Sequence, residues 1–266
     1  GVIQLSRGID VADPNEFNPY GGMVRFSGSS AAVINMAAGN SMYDLLVKKT
    51  SGQVTLSDNL VVSNDVEISS GSLSAGSYNM DVGGDWTNGV GALGFNEGTG
   101  KVTFTGTGPD TIHTDEIFYD LEIDKTGTSG DVVELLSNNT ITSTNDFEVA
   151  SGALNVNQMG TLDVRHLTLN NGAGLLFDTV HENTVLNISG NWINVNSGFT
   201  DSTGFRHGKS YVVFTGTAGQ TLSSNSQEEF FKLTIDKAGR WFRPNNSIVV
   251  RDECTVNDGE WDIGTT

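Results

Sequence analysis

Apolar and polar residues alternate along this chain over short distances and never over long ones. In FYDLEIDK, Phe118 to Lys125, the residues Tyr119, Leu121 and Ile123 fall on one side, and Asp120, Glu122 and Asp124 on the other. Phe147 and Val149 alternate with Glu148 in the same way. Period-two runs of three to five residues, bounded by Gly, Asn, Asp and Ser, predict short half-buried strands. No stretch sustains a 3.6-residue period, so the chain reads as nearly all β.

The strands recur as phrases. VRFSGSSAAVI (Val24 to Ile34), VTFTGTGPDTI (Val102 to Ile112) and VVFTGTAGQTL (Val212 to Leu222) align with offsets of 78 and 110. MYDLLVKK (Met42 to Lys49), FYDLEIDK and FFKLTIDK (Phe230 to Lys237) follow with offsets of 76 and 112. A third register joins LVVSNDVEISSGSL, ITSTNDFEVASGAL and IVVRDECTVNDGEW, starting at Leu60, Ile141 and Ile248. A shorter phrase joins MDVGGDWTN (Met80 to Asn88) to LNISGNWIN (Leu186 to Asn194). The length changes fall in polar stretches between the phrases, as loops allow.

Offsets of this size suit several coils of ~22 residues each. The expected fold is therefore a parallel β-solenoid (β-helix) of about a dozen short-strand rungs, roughly 55–60 Å long at ~4.8 Å per rung. Tandem β-sandwich domains are the competing architecture. The larger second offset implies about one extra rung, placed near Leu162 to Val180. Residues 1–21 read as the end of a preceding rung or a cap. Residues 22–266 read as one solenoid of three imperfect repeats, 22–99, 100–207 and 208–266. Both ends look cut, the third copy stopping at Asp262 to Thr266, and neighbouring repeats of the same chain are expected partners.

Composition narrows the function. Hydrophobic residues make up 36% and charged residues 17%, enough for a core. The 33 glycines against 4 prolines suit many tight turns. A net charge of −18 argues against nucleic acid and anionic membranes. No run approaches a membrane span. A lone cysteine, Cys254, rules out an intrachain disulfide framework.

The phrases V-x-F-x-G-T-x-x-Q-T-[IL], F-[YF]-x-L-x-I-x-K-x-G, L-x-[VI]-x-[SD]-G-x-[LW] and [LM]-x-[VI]-x-G-[DN]-W-x-N resemble repeats of very large, adhesin-like surface and secreted proteins of bacteria. Such proteins are common among Bacteroidota and are often type IX secretion cargo. The resemblance covers most of residues 22–266, with a degenerate first copy in which Ser29 to Val33 lacks the Gln-Thr of Gln220-Thr221. It implies an extracellular or cell-surface location and supplies no catalytic residues.

Comparison between copies assigns the remaining residues. Phe26, Phe104 and Phe214, then Leu45, Leu121 and Leu233, then Ile68, Val149 and Val256 keep their apolar character and are read as inward. Asp44, Asp120 and Lys232 drift, as do Leu46, Glu122 and Thr234. A repeated ligand site would keep the outward set, so the phrase is expected to hold a shape. Cys254, aligned with Val66 and Phe147, is read as core, and Trp86 and Trp192 as corner fillers, with carbohydrate stacking as their alternative. Trp241, Phe242 and Arg243 break the pattern of their copies and are the candidate ligand contacts, exposed aromatics beside Arg240.

Asp120, Glu122 and Asp124 are the acids a polysaccharide-cleaving β-helix would use. Asp124-Lys125 and Asp236-Lys237 are read as surface pairs. Asn257, Asp258, Glu260 and Asp262 form a candidate calcium turn without a recognised loop spacing; no other cofactor is indicated. Gly89 to Gly94 and Gly208-Lys209-Ser210 are discounted as nucleotide motifs, and His113, His166, His181 and His207 lack metal-ligand spacing. The expected function is a non-enzymatic stalk or scaffold segment, possible glycan or protein partners being left to loops. Its rivals are a carbohydrate-active β-helix enzyme and a carbohydrate-binding module.

Overall fold

Alternation becomes strand wherever one side can be dried. In Asp120–Asp124, Leu121 and Ile123 are buried while the three acids stay half-exposed. The computed structural model describes residues 1–18, 20–126, 131–200 and 202–262, and among them there are strands and no helix. The last residues of the third copy, 263–266, lie outside the described residues. Every strand pairing among the described residues is parallel. A sandwich is built of antiparallel strands, so that alternative falls. The fold is a β-solenoid of about 12 turns.

Three faces enclose the interior. On the first, Ile3, Val24, Leu45, Val66, Trp86, Ile112, Leu135, Val156 and Phe177 lie in one column, each paired with the next. On the second, Ile141, Leu162, Leu186, Val212, Leu233 and Cys254 stack likewise. On the third, the column runs Leu60, Met80, Val102, Leu121, Phe147, Leu167, Trp192 and Leu222. A turn takes 20 residues between Val66 and Trp86 but 30 between Trp192 and Leu222. The slack sits at corners, outside the columns.

The three copies of the repeated phrase occupy three different faces. Each copy is a pile of three strands. Val24 and Phe26 lie on Leu45 and Val47, which lie on Val66 and Ile68, all on the first face. Val102 and Phe104, Leu121 and Ile123, then Phe147 and Val149 form the second pile, on the third face. Val212 and Phe214, Leu233 and Ile235, then Cys254 and Val256 form the third, on the second face. From Val24 to Val102 the chain makes three full turns plus two faces; from Val102 to Val212 it makes four turns plus two faces. The second interval thus holds one more turn than the first, as its larger offset implies.

Interior packing is apolar and aromatic. Trp86 and Trp192 are fully buried, which removes them as sugar-stacking platforms. Trp86 meets Phe95 at 4.9 Å and Phe118 at 5.5 Å, and Trp192 meets Phe205 at 4.7 Å and Phe230 at 5.6 Å, mostly edge to face. Three inward assignments need correction. Val256 is 49% exposed and Cys254 is exposed, because no described strand lies over them. At the other site Phe118 takes the buried place and Tyr119 is only half-buried, since the chain turns a corner between Glu116–Phe118 and Asp120–Asp124.

Column position should decide mutational cost. Phe104→Ala is expected to destabilise by about 3–5 kcal/mol in a denaturant titration, whereas Val256→Ala should stay within about 0.5 kcal/mol. Equal effects would contradict the assigned columns.

Candidate functional site

The most distinctive chemistry of the described residues is inside the solenoid. Lys49, Lys125 and Lys237, which close the second phrase of each copy, are 1%, 1% and 0% exposed. The surface-pair reading of Asp124-Lys125 and Asp236-Lys237 is therefore wrong: after two inward apolar residues the alternation points the lysine inward as well. Its stem crosses the corner and its amine reaches the turn before. Lys49 Nζ donates to the Ser27 carbonyl at 3.0 Å and the Ser6 carbonyl at 3.3 Å. Lys125 donates to the Thr105 carbonyl at 2.8 Å and to the Asp110 carboxylate. Lys237 donates to the Thr215 carbonyl at 2.7 Å and to Gln220 Oε1.

These partners are equivalent positions. Ser27, Thr105 and Thr215 each follow the phrase's Phe, and Ala32, Asp110 and Gln220 each stand six residues beyond it. The degenerate first copy, with Ala32, offers no side-chain acceptor, and a second carbonyl replaces it. Burial lowers the Lys49 and Lys237 amines, the latter to about 8.

The recurrent Ser-Gly or Asp-Gly of the third register belongs to the same corner. A Cβ on Gly71, Gly152 or Gly259 would come within 2.8, 2.6 or 2.7 Å of the Cβ of Lys49, Lys125 or Lys237. All three glycines have positive φ, +80°, +70° and +98°. The next turn therefore lies directly on the lysine stem, where no side chain fits.

A second buried constellation repeats too. Glu116 Oε2 accepts from Trp86 Nε1 at 2.7 Å and from Asn88 Nδ2 at 3.0 Å, while the Ile117 amide donates to Oε1 at 3.1 Å. In the later copy Asn194 Nδ2 donates to Glu228 Oε1 at 2.6 Å. Glu116 and Glu228 precede Phe118 and Phe230 by two residues; Asn40 precedes Met42 likewise and binds Glu16 N, Phe17 N and two carbonyls. Burial pushes both glutamates up to about 7.

Outside, one residue per turn forms a row on the third face: Asp81, Thr103, Glu122 and Glu148. Glu122 pairs with Lys101 and accepts from Thr103 at 3.2 Å; Glu148 accepts from Asn170 at 2.6 Å. Burial raises the Asp81 carboxyl, opposed by Lys101. Asp120 accepts from Asn145 and the Asp146 amide, and Asp124 from Ser151. The three acids of that strand thus share one face, each tied to a neighbouring turn.

The candidate ligand contacts separate. Phe242 is fully buried, 4.3 Å from Phe214 between ring centroids, and cannot meet a ligand from outside. Trp241 is 36% exposed, its indole lying where a Gly219 Cβ would sit and under the Arg243 guanidinium, 4.9 Å from the ring. Arg243 also pairs with Asp262. In the calcium turn, Asp258 accepts from the Gly239 amide and Asp262 from Arg243, and no group of three potential metal-ligating side chains occurs among the described residues. The histidines stay apart, beside Asp85, Asn191, Asp178 and Glu229 respectively.

The lysines' repetition was the missed signal: Lys is the one charged type that all three copies keep at the same place. Two measurements test these interior sites. Gly152→Ala is expected to cost more than Gly172→Ala, by roughly 1–3 kcal/mol, because both have positive φ but nothing lies within 4 Å of the Gly172 Cβ position. A glutamate pKa raised in the fold contributes stability that is full below about 4.5 and is lost as pH rises through about 7. The double variant Glu116→Gln/Glu228→Gln should flatten the stability profile between those pH values and gain on the order of 2 kcal/mol per site at pH 8; an unchanged profile would refute the assignment. No family model, curated protein or solved structure matches this chain.

Proposed function

We propose that this chain is a non-enzymatic stalk or scaffold segment of a bacterial cell-surface or secreted adhesin-like protein. One observation carries the reading: most of what all three copies keep lies inside. The stacked apolar columns, the corner lysine and the glycine over it are kept, while outward positions such as Asp120 and Lys232 differ. A repeated binding function would favour the reverse. The rotation of the copies among faces supports the same view, since equivalent outward residues point in three directions and compose no continuous surface.

In this role the rod's partners are neighbouring repeats of the same chain, with glycans or proteins met by its loops. The net charge of −18 fits an exposed, soluble surface and disfavours nucleic acid. The Asp81–Glu148 row is the feature a carbohydrate-active rival would use. Incubation with a panel of acidic polysaccharides is expected to yield neither new reducing ends nor unsaturated products. Turnover that disappears in Glu122→Gln or Asp124→Ala would overturn the stalk reading.

A further inference from the structure

The lysine corner of the second copy differs from the other two in what faces its amine. Lys49 meets only main-chain carbonyls. Lys237 meets a carboxamide whose nitrogen is already committed to the Ile188 and Gly190 carbonyls at 2.9 and 2.6 Å. Lys125 meets a carboxylate, and the side chains of the pair are 0% and 7% exposed. Thr105 holds the amine from one side, and the Gly152 backbone packs on the lysine stem.

From this geometry we propose that Lys125 and Asp110 condense into an intramolecular isopeptide bond, joining Lys125 Nζ to Asp110 Cγ with release of one water. A proton first passes from the ammonium to the carboxylate it touches, leaving an amine and a carboxylic acid. The transfer replaces two buried charges with two neutral groups. The nitrogen lone pair then attacks Cγ. A second Nζ proton moves to the departing hydroxyl oxygen, the C–O bond breaks, and water leaves. Charge is conserved, since one positive and one negative group become a neutral amide, and no oxidant or reductant is consumed. Burial pushes the Asp110 carboxyl upward against the opposing pull of Lys125, in the direction that supplies the acid form.

Fixed contact of the two groups replaces a bimolecular encounter, for which effective molarities reach about 10⁵–10⁸ M. The reverse hydrolysis needs water beside side chains that are only 0% and 7% exposed. The product would tie the first-face strand Asp110–Ile112 to the corner after Asp120–Asp124 one turn on. The chemistry stands whatever load or ligand the rod carries.

The test is intact mass spectrometry of the folded wild-type chain, denatured only for measurement. The expected mass lies one water below that summed from the sequence, and tryptic digestion should yield a branched peptide joining Asp110 to an uncleaved Lys125. Asp110→Ala and Lys125→Arg should each restore the full mass, while Lys49→Arg and Lys237→Arg should leave the deficit in place. Full mass in wild-type chain that remains folded by circular dichroism after prolonged incubation would overturn the proposal. So would a water deficit that maps to Asp258-Gly259 as a succinimide.

Discussion

In a parallel solenoid each inward side chain rests on its counterpart from the previous turn, about 4.8 Å away. Everything else in this molecule follows from keeping those columns filled and dry. Val24, Leu45 and Val66 are neighbours because they occupy the same place on successive turns, although 21 residues separate each from the next. A column tolerates any length of chain between its members, provided the excess leaves at a corner. That is why turns of 20 and 30 residues share one interior.

Dryness has a cost that the corner residues meet. An unpaired polar group there costs roughly 1–3 kcal/mol, and a turning chain presents carbonyls that no strand partner reaches. The buried lysines answer this. Each spends its stem on apolar contact and its amine on the carbonyl after the phrase's Phe. The Glu116 and Glu228 clusters do the complementary task with an acceptor, gathering the Asn88 and Asn194 amides. Asn40 carries out both halves in the first copy. The interior is thus apolar along its faces and polar at particular corners, where these lysine, glutamate and asparagine groups are paired across turns.

This arrangement also explains what a copy is. Phe, the following carbonyl, the Lys one turn later and the Gly one turn after that make a local instruction spanning three stacked strands. The instruction says nothing about which face it occupies. Three copies consequently settle on three faces, and their outer residues are released from any common role, which is the physical content of the stalk proposal.

Strand positions, parallel stacking and most of the inward set were legible in the chain, because alternation and the three recurring phrases depend only on local pattern. The extra turn in the second interval was legible as a difference in offset. The corner lysines were visible as repetition yet read as surface groups, because charge argues for solvent unless the carbonyls of another turn are known to be waiting. Phe242 and Trp241 are adjacent and equally apolar, and only the corner geometry decides that one fills the core while the other lies over Gly219. Cys254 and Val256 carry the pattern of buried residues, but burial belongs to the turn above them. By itself the sequence determined which residues form strands and which side of each strand is apolar; the tertiary structure alone decided which face each copy occupies and which polar groups meet inside. Those outcomes depend on the summed lengths of intervening turns, a quantity that no local pattern encodes.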